Sequence, residues 1–167
     1  MRCNLPGALL LISGLIIMNS CSSDASELSI SAPVYQKILN YTYSASEVET
    51  MNLINDYRVN VGLNTLEKIN HISYKSEEHD NYMIANNVVN HNGFISRSEN
   101  IIKVLGAKTV GENIACNYNT PKAALDAWLG SVGHKENIEG DYTHFGISIR
   151  KDPVNGKNYY TNIFVKI

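Results

Sequence analysis

HFGISIRKDPVNGKNYYTNIFVKI, residues 144–167, decides the architecture. Phe145, Ile147 and Ile149 alternate with Gly146, Ser148 and Arg150, which is the two-residue period of a half-buried strand. Asp152-Pro153-Val154-Asn155-Gly156-Lys157 is built of turn formers, and Tyr159, Thr161, Ile163, Val165 and Ile167 supply the returning strand. Upstream the period is helical. Ser44-Ala45-Ser46-Glu47 has the spacing of a capping box, and Val48, Met51, Ile54, Tyr57 and Val61 form one apolar stripe that Gly62 ends. A second helix is expected from about His71 to Val88, its stripe including Ile72, Tyr82 and Met83 with His79 adjacent. Thr120-Pro121 opens a third, a hydroxyl N-cap followed by proline at the first helical position, with Ala124, Leu125 and Trp128 on one face. Helices first and a hairpin last give an α+β chain with an antiparallel sheet.

The chain has 167 residues, 44% of them apolar, enough for one domain with a real core and too few for two. Its beginning has a different purpose. Arg2 precedes an apolar run, Leu9 to Met18, shorter than the ~20 residues that cross a bilayer and of the length of a signal-peptide core. Ser20-Cys21-Ser22-Ser23-Asp24 follows, and this resembles a bacterial lipoprotein signal in which Cys21 becomes the lipidated mature N-terminus; Met18 and Asn19 depart from the usual Leu and small residue. The expected organisation is a signal over 1–20, a lipidated cysteine and tether over 21–46, and a globular domain over 47–167. The tether is rich in Ser, Thr, Ala and Tyr, with a short helix suggested at Val34–Leu39. Acyl chains contribute ~0.8 kcal/mol per buried CH₂, so the mature protein is expected to stay on a membrane, at the cell envelope or surface, with simple secretion as the alternative.

Of Cys3, Cys21 and Cys116, the first leaves with the signal and the second carries lipid, so no internal disulfide is expected. The formal net charge is −2, and no basic run suggests nucleic acid.

Four short pieces point to a family: His91-Asn92-Gly93, Gly111-Glu112-Asn113-Ile114, Trp128-Leu129-Gly130-Ser131-Val132-Gly133-His134, and Tyr142-Thr143-His144-Phe145-Gly146. In order and spacing they resemble the CAP superfamily of cysteine-rich secretory, antigen 5 and pathogenesis-related proteins, also called the SCP domain, in its bacterial secreted branch. The resemblance covers about Glu47 to Ile167 and implies an α-β-α sandwich around a central antiparallel sheet. It also implies a cleft where two histidines and two acids face one another and the histidines hold a divalent metal such as zinc. His91 matches the first histidine, Glu112 the first acid and His144 the second histidine. The second acid is absent, because the Trp-x-x-Glu of the family is here Trp128-Leu129-Gly130-Ser131.

The missing acid shapes the functional expectation. Two imidazoles leave open positions on a zinc ion, but catalytic zinc usually has three protein ligands, and paired acid and base roles have only Glu112 as a firm candidate. The favoured reading is therefore a binding module whose cleft, His91, Glu112, Ser131 and His144, takes an extracellular lipid, glycan or peptide without turnover. The alternative is a metal-assisted hydrolase or peptidase using the same cleft. His134 reads as part of a loop-fixing turn with Asn137 and Ile138, His79 as a packing residue, and Cys116 as a buried structural thiol. Ser131 with His134 lacks the nucleophile elbow and the orienting acid of a serine hydrolase.

Overall fold

The computed structural model describes residues 35–167; the signal segment and Cys21 lie outside the described residues. Five helices and four strands follow in the order α1 (Ala45–Asn60), β1 (Glu67–Lys68), α2 (Asn70–Asn86), α3 (Phe94–Leu105), β2 (Thr109–Cys116), α4 (Pro121–Leu129), α5 (Val132–Ile138), β3 (His144–Lys151) and β4 (Asn158–Lys166). The sheet order is β1-β3-β4-β2. β4 runs antiparallel to both β2 and β3, while the two-residue β1 adds to β3 in parallel. The chain is α+β, and its sheet is mixed only through β1.

Helices cover both faces. Met51 and Ile54 of α1, Ala124, Leu125 and Trp128 of α4 and Ile138 of α5 pack on Ala115, Phe145, Ile147, Tyr160 and Phe164. On the other face Ile72 of α2 and Ile101 of α3 meet Ile163 and Val165, and Met83 meets Ile114 and Tyr159. The alternation along the hairpin therefore separates two cores, not core from water. Gly146 and Ser148, the expected polar side, are buried against α2.

α1 starts at the expected capping box: Glu47 N–H donates to Ser44 Oγ at 3.2 Å and Ser44 N–H to the Glu47 carboxylate at 2.7 Å. Its apolar stripe is narrower than the sequence suggests, since Val48 and Val61 are exposed and the buried set is Met51, Ile54, Thr50 and the charged Glu47 and Arg58. The Arg58 guanidinium is tolerated because it donates to the carbonyls of Asn64, Ile138 and Gly140 and to Asn64 Oδ1. Val34–Leu39 is not helical where it is described, from Tyr35 on. Its backbone polar groups are spent outward: Ile38 N–H donates to His71 Nδ1 at 3.2 Å, and Leu39 C=O accepts from Asn70 Nδ2. Tyr35 lies under Lys103, and Tyr41 and Tyr43 bond Glu47 and Asn70, so residues 35–43 form a strap along the domain.

Candidate functional site

β2 lies at the edge of the sheet and carries the site. Its side chains alternate between the two helical layers, and Glu112 points toward α2 and α3, in one row with Ile163 and Gly146. The Glu112 side chain is almost fully buried, and three groups converge on it. Arg97 of α3 donates from Nε to Oε2 at 3.0 Å and from Nη2 to both oxygens at 2.9 and 2.8 Å. His91, in the loop between α2 and α3, places Nδ1 2.8 Å from Oε1. His79 of α2 brings Nε2 to 3.9 Å from the same oxygen. A buried carboxylate is stable only with such partners, and the Arg97 fork is the strongest of them.

These contacts assign protons. A carboxylate can only accept, so the His91 Nδ1 carries hydrogen, and the Nε2 edge of the ring belongs to a side chain about half exposed. His79 is fully buried; its Nε2–H donates to Asn90 C=O at 2.8 Å, which pins the loop one residue before His91, and its ring stacks on Tyr82 at 5.7 Å. Burial, with Arg97 and His91 nearby, holds His79 below the usual histidine value and outweighs Glu112. Arg97 Nη1 also donates to Asn92 C=O at 2.8 Å, so the loop is held from both ends.

His134, on α5, stands near His91. Burial, and then the charge that His91 would carry, push its ring below the ordinary value, so it is neutral at pH 7. Asn113 Nδ2 donates to the His134 carbonyl at 2.8 Å, and Asn137 Nδ2 donates to Asn113 Oδ1 and to Glu112 C=O, tying α5 to β2. Ser131 precedes α5 at the N-cap and makes no cap bond. Ser131 and His134 line a groove of about 360 Å³ with Val89, Ile114, Ala115, Cys116, Tyr118, Ala127 and Trp128. No hydrogen bond joins Ser131 to His134 among the described residues. Burial pushes the Cys116 thiol up, the opposite of an activated nucleophile.

His144 is placed elsewhere. It opens β3, with β4 between it and β2, and its register partner is Val165, two residues along from the Ile163 that pairs with Glu112. Its Nδ1 lies 2.8 Å from Thr143 Oγ1 and its Nε2 3.8 Å from Glu67 Oε2. The structure thus brings together His91 and Glu112, adds Arg97, His79 and His134, sets Ser131 on the neighbouring groove, and leaves His144 at the β1 end of the sheet. Among the described residues no group of three or more His, Cys, Asp or Glu is disposed to hold a metal ion. Arg97 has no motif around it and was not legible. His134 was visible in Ser131-Val132-Gly133-His134, but only the fold shows that its ring lies close enough to feel the charge of His91.

The fold and the edge-strand site define an α-β-α domain, and residues 51–165 match the model of the cysteine-rich secretory protein (CAP) family: the chain belongs to that family. It is 32% identical over 130 residues to YlbC, an uncharacterised membrane protein of Bacillus subtilis, covering 74% of this chain and 35% of the relative. It is also 32% identical over 108 residues to the uncharacterised YkwD of the same organism, covering 62% and 42%. The chain thus spans between a third and a half of the length of these relatives. Among solved structures, an outer surface protein of Borrelia burgdorferi is similar with a TM-score of 0.66 at 18% identity, covering 77% of this chain and 98% of that one. An extracellular SCP-domain protein of Bacillus anthracis gives 0.64 at 22% identity, covering 77% and 45%. Those two likenesses bear on the fold.

Proposed function

We propose that the chain is an exported binding protein, held at the cell envelope by lipid on Cys21, whose β2-edge cleft takes an extracellular ligand without turning it over. One observation carries this reading: both oxygens of Glu112 are occupied by Arg97, and one of them also by His91. A general acid or base must exchange a proton with the substrate, and a carboxylate clamped by a guanidinium fork is poorly placed to do so. Glu112 instead orients His91, leaving Nε2 as the functional atom. Ser131 stands where the family has its second acid, and among the described residues no second carboxylate joins Glu112 in a metal-holding group.

Zinc would be held by His91 Nε2 with His134 as the second imidazole. Two imidazoles fill only half of a tetrahedral site, so such an ion would be exchangeable and would offer its open positions to an oxygen of the ligand. Zinc titration of the full chain in detergent tests this. His91→Ala with His134→Ala should abolish uptake and His91→Ala with His144→Ala should do no more than His91→Ala alone; uptake unchanged in the first pair removes these rings as ligands. Hydrolysis of a peptide library that vanishes in Glu112→Gln would establish the hydrolase instead. Cys21→Ser should move the protein out of the membrane fraction.

A further inference from the structure

The two edges of the sheet are finished differently. Beyond β1, the outward N–H groups of Ile147 and Ile149 on β3 donate to Ser73 Oγ at 3.2 Å and to Glu47 Oε1 at 2.9 Å. That edge is closed to another strand. On β2, Asn117 N–H donates to Asn158 C=O, so odd-numbered residues bond β4 and even-numbered ones face outward. The outward carbonyls of Glu112 and Ile114 accept from Asn137 Nδ2 at 3.2 Å and from the Trp128 indole at 2.9 Å. The N–H groups on the same side of Ile114 and Cys116 have no partner among the described residues. Ile114, Ala115 and Cys116 form the floor of the groove whose walls are Val89, Ala127 and Trp128. Side chains thus take the Glu112 and Ile114 carbonyls of the β2 edge, and the Ile114 and Cys116 N–H groups that remain are what an added strand would use.

We infer that the groove binds an extended peptide, which lays its carbonyls on the Ile114 and Cys116 N–H groups and places one apolar side chain against Val89, Ala127 and Trp128. This deepens the binding reading above and rests on it. Two donors two residues apart on an edge strand lie about 7 Å from each other, the repeat of alternate carbonyls in an extended chain. A fatty acid has no acceptor at that interval, and the carbonyls already taken by Trp128 and Asn137 leave a surface that donates more than it accepts. No Asp, Glu, Lys or Arg lines the groove, so the inserted side chain is uncharged.

Amide NMR of the full chain in non-ionic detergent, titrated with the acetylated and amidated pentapeptide Ser-Ser-Leu-Ser-Ser, tests the inference. The Ile114 and Cys116 amides should move downfield and exchange more slowly. Val89→Asp, a change at an exposed loop position, should weaken binding about tenfold or more, as should replacing the peptide leucine by aspartate. Resonances at these amides that stay still up to about 1 mM peptide, or that respond to laurate or maltotriose and not to the peptide, would overturn it. If the peptide fails while zinc still perturbs the His91 and His134 rings, strand addition alone falls; if both fail, the binding reading falls with it.

Discussion

Asp80 projects from α2 into the interior, fully buried, with Oδ1 accepting from Thr161 Oγ1 at 2.6 Å and Oδ2 without a partner. Burial raises its pKa well above the ordinary carboxyl value, against the weaker opposing effect of Thr161 and Ser148. The folded state therefore keeps a proton that the unfolded chain gives up above about pH 4, so stability falls as pH rises from there toward the folded value. Asp80→Asn should flatten this slope, read from urea unfolding at several pH values; an unchanged slope would refute it. Arg97 has the opposite sign. Arg97→Met leaves the Glu112 charge buried with the two histidines alone, which should cost about 3–5 kcal/mol in the same assay, and Glu112→Gln added to it should recover part of that loss. The sequence made His91 and Glu112 visible because short motifs surround them. It concealed Arg97 and the role of His134, since each acts through a neighbour distant in the chain.

Elements with a strong local signal were legible: the capping box of α1, the Thr120-Pro121 start of α4, and the hairpin with its turn. α3 was not, because it follows Gly93, an N-cap in the left-handed region with no capping side chain. β2 is buried on both faces along Gly111–Ala115 and so shows no simple polar alternation. The two residues of β1 and the seven of α5 are too short for a period to register. Contact between elements also sets what a position tolerates. A Cβ on Gly146 would run into the backbone of Ile72 and Ser73, which is how closely α2 approaches β3. Gly146→Ala should destabilise by about 1–3 kcal/mol or more in thermal or urea unfolding, whereas Gly133→Ala, where nothing crowds the added carbon, should lie within about 0.5 kcal/mol of the parent.

Across the whole molecule the strap answers to acid. His71 is buried, accepts the Ile38 N–H at Nδ1 and meets Asn100 Oδ1 through Nε2 at 2.8 Å, so it is neutral when the strap is docked. Burial holds its pKa below 6.5, Lys75 and Lys37 push the same way, and Asn100 and Glu78 oppose them. A lowered histidine favours the proton-poor docked state above about pH 6.5 and loses that preference as pH drops. Exchange of the Ile38 amide should therefore quicken in mild acid, and His71→Asn, which keeps an acceptor but cannot titrate, should remove the dependence; a pH-independent parent would contradict this.

Trp128 has a consequence of its own. It is the only tryptophan in the chain, 1% exposed, edge-on to Tyr160, and fastened by its indole N–H to the carbonyl of Ile114 at the groove floor. Intrinsic fluorescence excited at the indole thus arises from one place, next to where a guest would lodge. The domain carries a built-in optical gauge of occupancy, free of background from any second emitter of its kind.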